Sequence, residues 1–218
     1  LVTSEAKKYD GRFFLACLLG ILSAGTLANG VEALPLAFIL SCFLPIHRGK
    51  RGVLLLLAIV TPLVYFYGYQ QPPGHGSLTK TLINDPIGVL HYSMIYLGSP
   101  FFWIFNKYGN PLRTAEIMGA VFIVGSLIFS FFWIKDRERS PYVGALLFFA
   151  LYVGGTAVGT GGGRLIFGII QATSERYTTP AVMAWAAIFI VMISFSGGFK
   201  VWSWRVTPVV FCLFSIFL

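Results

Sequence analysis

Long apolar runs, almost free of charge and separated by short clusters of lysine and arginine, constrain this chain more than any other feature of its sequence. They occupy residues 13–28, 34–46, 53–69, 87–105, 115–134, 142–158, 181–195 and 201–218. A hydrocarbon core about 30 Å thick needs about 20 apolar residues in helical form to cross it. The runs are continuously apolar rather than alternating, which favours helices over a β-barrel, the other structure that satisfies its own backbone in lipid. Hydrophobic residues make up 56% of the chain and charged ones 11%, with a mean hydropathy of +0.78, too little polar surface to clothe a soluble globule of 218 residues. The expected fold class is all-α: a polytopic transmembrane helical bundle of about seven to eight apolar segments, one of them a candidate re-entrant segment, forming a single transmembrane domain over residues 1–218. The lipid bilayer is its first partner.

The net charge of +8 comes from sixteen Lys and Arg set in clusters between the runs. That is the pattern of membrane orientation signals and not of a nucleic-acid surface. Cys17, Cys42 and Cys212 all lie inside apolar runs, with no C-x-x-C and no histidine at ligand spacing, so they read as small buried hydrophobes. No metal site and no cofactor motif is evident. Lys7, Lys8 and Arg12 ahead of an apolar stretch mimic a signal peptide, but the many further runs favour a retained helix. Leu1 at the start and the apolar end at Leu218 suggest a fragment of a longer chain.

Asn29-Gly30, with Glu32 and Pro35, predicts a tight turn between the first two runs, which together suit two crossings or a hairpin in a thinned region. His47-Arg48-Gly49-Lys50-Arg51 predicts a basic cytoplasmic loop. In run 53–69, Pro62 predicts a kink and Tyr65, Tyr67 and Tyr69 an aromatic belt. Residues 70–86 form the longest polar connection. Run 87–105 is interrupted by Gly98-Ser99-Pro100, where proline disfavours helix at the residue before it. Two topologies follow. If 87–105 crosses, the side holding 47–51 carries ten basic residues against six; if it is re-entrant, eleven against five, with Lys135 to Arg139 also inside. Only in the second do the Asn29–Glu32 turn, the 70–86 connection and the stretch from Gly159 share the outer face.

Residues 159–180 gather polar and charged groups in a chain that otherwise avoids them. If residues 163–177 are helical, Arg164, Gly168, Gln171 and Glu175 fall at steps of four, three and four and share one face. Such a helix either lies at the interface with its arginines snorkelling or lines a cavity with its polar stripe toward a ligand. The glycines before it allow unusual backbone or a close approach, and Pro180 suits the first turn of the next helix. Arg164 and Arg176 can grip phosphate bidentately unless Glu175 neutralises them. His75 and Asp85 add polar groups from the long connection. The candidate substrate-binding set is therefore Arg164, Gln171, Glu175, Arg176, His75 and Asp85, with no assigned catalytic residue. His91 has no partner at motif spacing and reads as a hydrogen-bonded neutral group, while Glu32 reads as a helix cap. Phe101-Phe102-Trp103, Trp202 and Trp204 read as interface anchors. No Walker motif, zinc signature or nucleophile elbow is present.

Three patches resemble a group of large, mostly uncharacterised bacterial multi-spanning membrane proteins: Ala28-Asn29-Gly30 with Leu34-Pro35; Tyr67-Gly68-Tyr69 with Pro72-Pro73, His75, Asp85-Pro86 and Leu97-Gly98-Ser99-Pro100; and Gly163-Arg164 with Gly168, Gln171-Ala172 and Arg176-Tyr177. The chain looks like the C-terminal half of such proteins, which in layout are loosely similar to the C-type membrane glycosyltransferases. That resemblance implies a multi-pass protein of the bacterial inner membrane, glycosyltransferase-like, using a polyprenyl-phosphate-linked sugar at the outer face. The acidic base such enzymes carry on an early outer loop would lie outside this sequence, so no activity is carried over residue by residue. The alternatives are a transporter or flippase of an amphipathic substrate, for which broken helices and glycine runs also serve, and a non-catalytic membrane subunit. The absence of an evident internal repeat leans toward the enzyme.

Overall fold

The computed structural model describes residues 11–26, 28–69, 74, 76–107, 109–136 and 140–195, and among them the regular structure is entirely helical. Helix α1 (Gly11–Thr26), a 3-10 turn (Ala28–Glu32) and α2 (Ala33–Phe43) form a hairpin that leads into α3 (Arg48–Phe66). Three short helices follow, α4 (Leu78–Asn84), α5 (Pro86–Leu97) and α6 (Ser99–Ile104), then the long α7 (Pro111–Lys135) and α8 (Pro141–Arg164). Two 3-10 segments, Leu165–Phe167 and Ile169–Thr173, connect α8 to α9 (Glu175–Phe195). Four helical stretches are long and apolar enough to cross a membrane: Arg48–Phe66, Pro111–Lys135, Pro141–Phe167 and Glu175–Phe195. At 1.5 Å per residue, the 19 to 27 residues of these stretches reach about 28–40 Å. Their outward faces carry Val64 (68% exposed), Leu127 (66%) and Leu151 (54%). Lipid, not water, satisfies such an exterior, so the protein is a helical membrane protein. The remaining expected segments are shorter: α1 has 16 residues, α2 has 11, and run 87–105 is divided into α5 and α6 at Gly98.

The centre of the bundle is α5, whose Val89, Tyr92, Ser93, Ile95, Tyr96 and Leu97 are all buried against α7, α8 and the Ile169–Thr173 segment. Its approach to α7 is as close as backbone permits. An added Cβ on Gly98 would collide with the Ala115 carbonyl, and one on Gly119 with the Met94 carbonyl. Gly98 at the end of α5 and Gly119 on α7 thus replace side-chain bulk with backbone contact, the usual basis of helix association in lipid. The break at Gly98 leaves the Leu97 carbonyl without its next helical donor; the Trp185 indole N–H of α9 donates to it at 2.9 Å.

The bundle has two chemically distinct ends. At one, Phe43 meets Trp133 with ring centroids 5.8 Å apart, and the Trp133 indole donates to the Ser140 carbonyl at 3.0 Å. Here His47 to Arg51 and Lys135 gather. At the other, the Gly76 N–H donates to the Gly163 carbonyl at 3.0 Å, and Tyr96 stacks on Tyr177 at 4.9 Å. The Ala28–Glu32 turn, the connection into α4 and the C-terminus of α8 meet near this second end.

Several local expectations are corrected. Residues 48–51 are not a loop but the first turn of α3. The His47 side chain accepts from the Gly49 N–H at 3.1 Å, and Arg51 donates to the Ser41 carbonyl at 3.0 Å and the Leu44 carbonyl at 3.3 Å, satisfying the end of α2. Lys50 is buried with its ammonium over the Phe13 ring. Part of the polar connection 70–86 coils into α4. Cys17 is buried as expected, but Cys42 is exposed, on the outward side of the short α2. Ser99, before Pro100, is helical, because the proline occupies the first turn of α6, where no N–H is needed. Pro180 lies inside α9 rather than in its first turn, because that helix already starts at Glu175. His75, residues 70–73, Arg137 to Arg139, Lys7, Lys8, Trp202, Trp204, Cys212 and the run 201–218 lie outside the described residues.

Candidate functional site

The glycine run 159–163 is helical and extends α8 to Arg164. Glycine costs about 1 kcal/mol in an isolated helix, but here the missing side chains of Gly161 and Gly162 are used as space. The Tyr92 ring lies against Gly161, and Leu78 lies where a side chain on Gly162 would be. The expectation of close approach is met; that of irregular backbone is not. The irregular backbone comes later, at Gly168, with φ 92° and ψ 156°, a region open essentially to glycine alone. It divides the expected helix 163–177 into the end of α8, two 3-10 segments and the start of α9. Arg164, Gly168, Gln171 and Glu175 therefore do not share a single helical face. Ser174 is extended, and α9 begins at Glu175, whose carboxylate suits the first turn.

The structure still brings several of these groups to one end. Arg164 is half-buried at the tip of α8 and Gln171 half-buried in the second 3-10 segment; Glu175 and Arg176 are exposed. The Arg176 guanidinium lies 4.9 Å from the centroid of the Tyr177 ring. Among the described residues no carboxylate forms an ion pair with Arg164 or Arg176, and Glu175 neutralises neither. Asp85 is placed differently: it caps α5, accepting from the Gly88 N–H at 2.8 Å. His91 pairs with Glu116, 3.0 Å from Nε2 to Oε1, a partner on α7 that no local spacing announces.

Under the arginines lies a group that sequence reasoning missed. Tyr92 and Tyr96 of α5 and Tyr177 of α9 are buried together, and both guanidinium groups lie within electrostatic reach of Tyr92. The Tyr92 and Tyr177 hydroxyls interact with each other electrostatically, yet neither makes a hydrogen bond of acceptable geometry. The available signal was Tyr92 and Tyr96 at i and i+4 in an uncharged run. The hydroxyls of Tyr92 and Tyr177 are buried, so the groups this end offers to an oxyanion are the guanidinium of the exposed Arg176 and that of the half-buried Arg164. No cluster of three or more His, Cys, Asp or Glu side chains able to hold a metal is present among the described residues.

Glu32 also departs from expectation. It occupies the N-cap position of α2 but makes no side-chain cap bond, because its backbone is already helical (φ −73°, ψ −19°). Its carboxylate instead crosses to α8 and lies against Gly155, in space a Cβ there would fill.

The fold and its apolar exterior define the class: a helical membrane protein with a polar, arginine-bearing patch at one end. Compared with known proteins, the chain matches no family model, no curated protein and no solved structure.

Proposed function

We propose that the chain is the membrane-embedded core of a glycosyltransferase-like enzyme of the bacterial inner membrane, one that takes sugar from a polyprenyl-phosphate carrier at the outer face. The observation that carries it is the pair Arg164 and Arg176, unpaired with any carboxylate among the described residues and set at the end of the bundle opposite the basic clusters. A phosphate needs such cations, and their distance from the 48–51 cluster fits the positive-inside rule with the arginine patch outside. In this proposal α4 to α6 form a re-entrant unit, leaving and returning on the outer side. The short α5 lies beneath the arginines, and the bilayer supplies the carrier's isoprenoid. Gln171 and Glu175 flank the same patch, and His75, outside the described residues, precedes α4 in the sequence.

A transporter or flippase of an amphipathic substrate is the second reading, favoured by the discontinuity between α5 and α6 at Gly98. A non-catalytic membrane subunit is the third.

Binding of a polyprenyl phosphate and of the matching neutral polyprenol to the whole chain in lipid nanodiscs tests the phosphate assignment. The expected result is at least about tenfold preference for the phosphate, lost in both Arg164→Ala and Arg164→Lys, because an ammonium cannot reproduce the bidentate fork. Equal binding of the two lipids, or full binding by Arg164→Ala, contradicts it. In proteoliposomes a transferase cleaves the sugar from its carrier, whereas a flippase moves the intact lipid.

A further inference from the structure

Helix α4 is held far more weakly than the helix that follows it. None of its seven residues is buried, whereas six of the twelve in α5 are. A helix this short is marginal by itself, so its place depends on what it touches. A short seam ties it to the last turn of α8. The Gly76 N–H donates to the Gly163 carbonyl at 3.0 Å, and the Leu78 side chain fills the space left open at Gly162. The seam is tight, since a Cβ on Gly76 would come within 3.1 Å of the Gly162 carbonyl oxygen. Both flanks of α4 have turn-like backbone. Gly74 has φ 81°, and Asp85, between α4 and α5, is non-helical at φ −142° and ψ 65°. Elements with few buried apolar contacts open at the lowest free-energy cost, and a few residues at their ends absorb the change.

The seam lies at the arginine end. Gly163 immediately precedes Arg164, which is half-buried, whereas Arg176 on α9 is exposed. The buried Tyr92 ring rests on Gly161, so α4 and α5 together cover the glycine turn that carries Arg164. Leu82 (38% exposed) and Ile83 (73%) give α4 an apolar surface that lipid can hold when it leaves the seam.

We propose that α4 is a strap that gates Arg164: seated on Gly162 and Gly163 it restricts the approach of a lipid-borne phosphate to this arginine, and it swings away about Gly74 and Asp85 to admit it. The gate rests on the phosphate reading of the arginine end and adds an order of events, with Arg176 met first and Arg164 after the strap lifts.

Leu78→Cys combined with Gly162→Cys, in a chain lacking Cys17, Cys42 and Cys212, tests it. The Cβ position at Gly162 lies 3.1 Å from the Leu78 Cα, near enough for a disulfide that fixes the strap in its seat. Association of a polyprenyl phosphate and of the neutral polyprenol with the whole chain in nanodiscs is followed in the oxidised and the reduced protein. Oxidation is expected to slow association of the phosphate at least about tenfold, with recovery on reduction, and to leave the neutral lipid unaffected. Leu78→Ala, which empties the space at Gly162, should quicken association of the phosphate at least about twofold and serves if the cysteine pair fails to fold or to oxidise. Arg164-dependent binding at one rate in both redox states, equal slowing of the neutral lipid, or a wild-type rate in Leu78→Ala overturns the gate and leaves the phosphate reading standing. Binding that Arg164→Ala does not weaken in either state contradicts the phosphate reading, and the gate with it.

Discussion

At Asp85 the carboxylate accepts the Gly88 N–H at the start of α5, so substitution there acts first on stability. Asp85→Ala is expected to cost about 1 kcal/mol, while Asp85→Asn, also a good cap, retains most of it; thermal unfolding of the two variants in one detergent checks this. A large loss of lipid-phosphate binding in Asp85→Asn without loss of stability would instead give the residue a ligand role. Tyr92 behaves oppositely. Its buried hydroxyl faces the Tyr177 hydroxyl without a well-formed hydrogen bond, so Tyr92→Phe should leave stability within about 0.5 kcal/mol or raise it. A drop of several kcal/mol in the same unfolding measurement would show that the hydroxyl has a partner. Arg164 and Arg176 were legible in sequence because charge is conspicuous in an apolar chain. Glu32 was misread because capping is a local rule, whereas its actual neighbour, Gly155, is more than a hundred residues away.

Among the elements, α5 depends most on its neighbours. Its contact with α7 is backbone to backbone at Gly98 and Gly119, and neither glycine can accept a side chain without separating the helices. Gly119→Leu is expected to cost at least about 1–3 kcal/mol through overpacking, whereas Gly125→Leu on the same helix, with nothing within 4 Å, should be nearly neutral. Comparable losses at both positions would contradict the packing. Gly168→Ala should cost about 1–3 kcal/mol through backbone strain alone, since φ 92° with ψ 156° excludes a Cβ; wild-type stability in that variant would mean the backbone differs. The spans α7 and α8 and the break at Gly98 were legible because continuous apolarity and Gly-Ser-Pro are strong local signals. The helix across 163–177 was not, because a period of 3.6 in side-chain type does not register one glycine in a conformation closed to helix. The glycine run misled in the other direction: helix propensity measured in water does not count the space glycine gives a neighbouring helix in a bundle.

For the whole molecule, the bundle places Arg48 to Arg51 and Lys135 at one end and Gly76, Gly163 and the start of α9 at the other. The membrane class was legible from apolar content alone. The grouping at the ends was open between two topologies, because the basic residues satisfied the positive-inside rule in either. The central claim of the proposed function is that the arginine-bearing end faces outward and the basic end inward. Single cysteines at Gly49, Ser77, Ser140 and Glu175, each in a chain lacking Cys17, Cys42 and Cys212, test it with a membrane-impermeant thiol reagent in intact cells. Labelling is predicted at Ser77 and Glu175 before permeabilisation, and at Gly49 and Ser140 only after it. Labelling of Ser77 and Glu175 from opposite sides of the membrane, or of Gly49 and Ser140 in intact cells, would contradict the account.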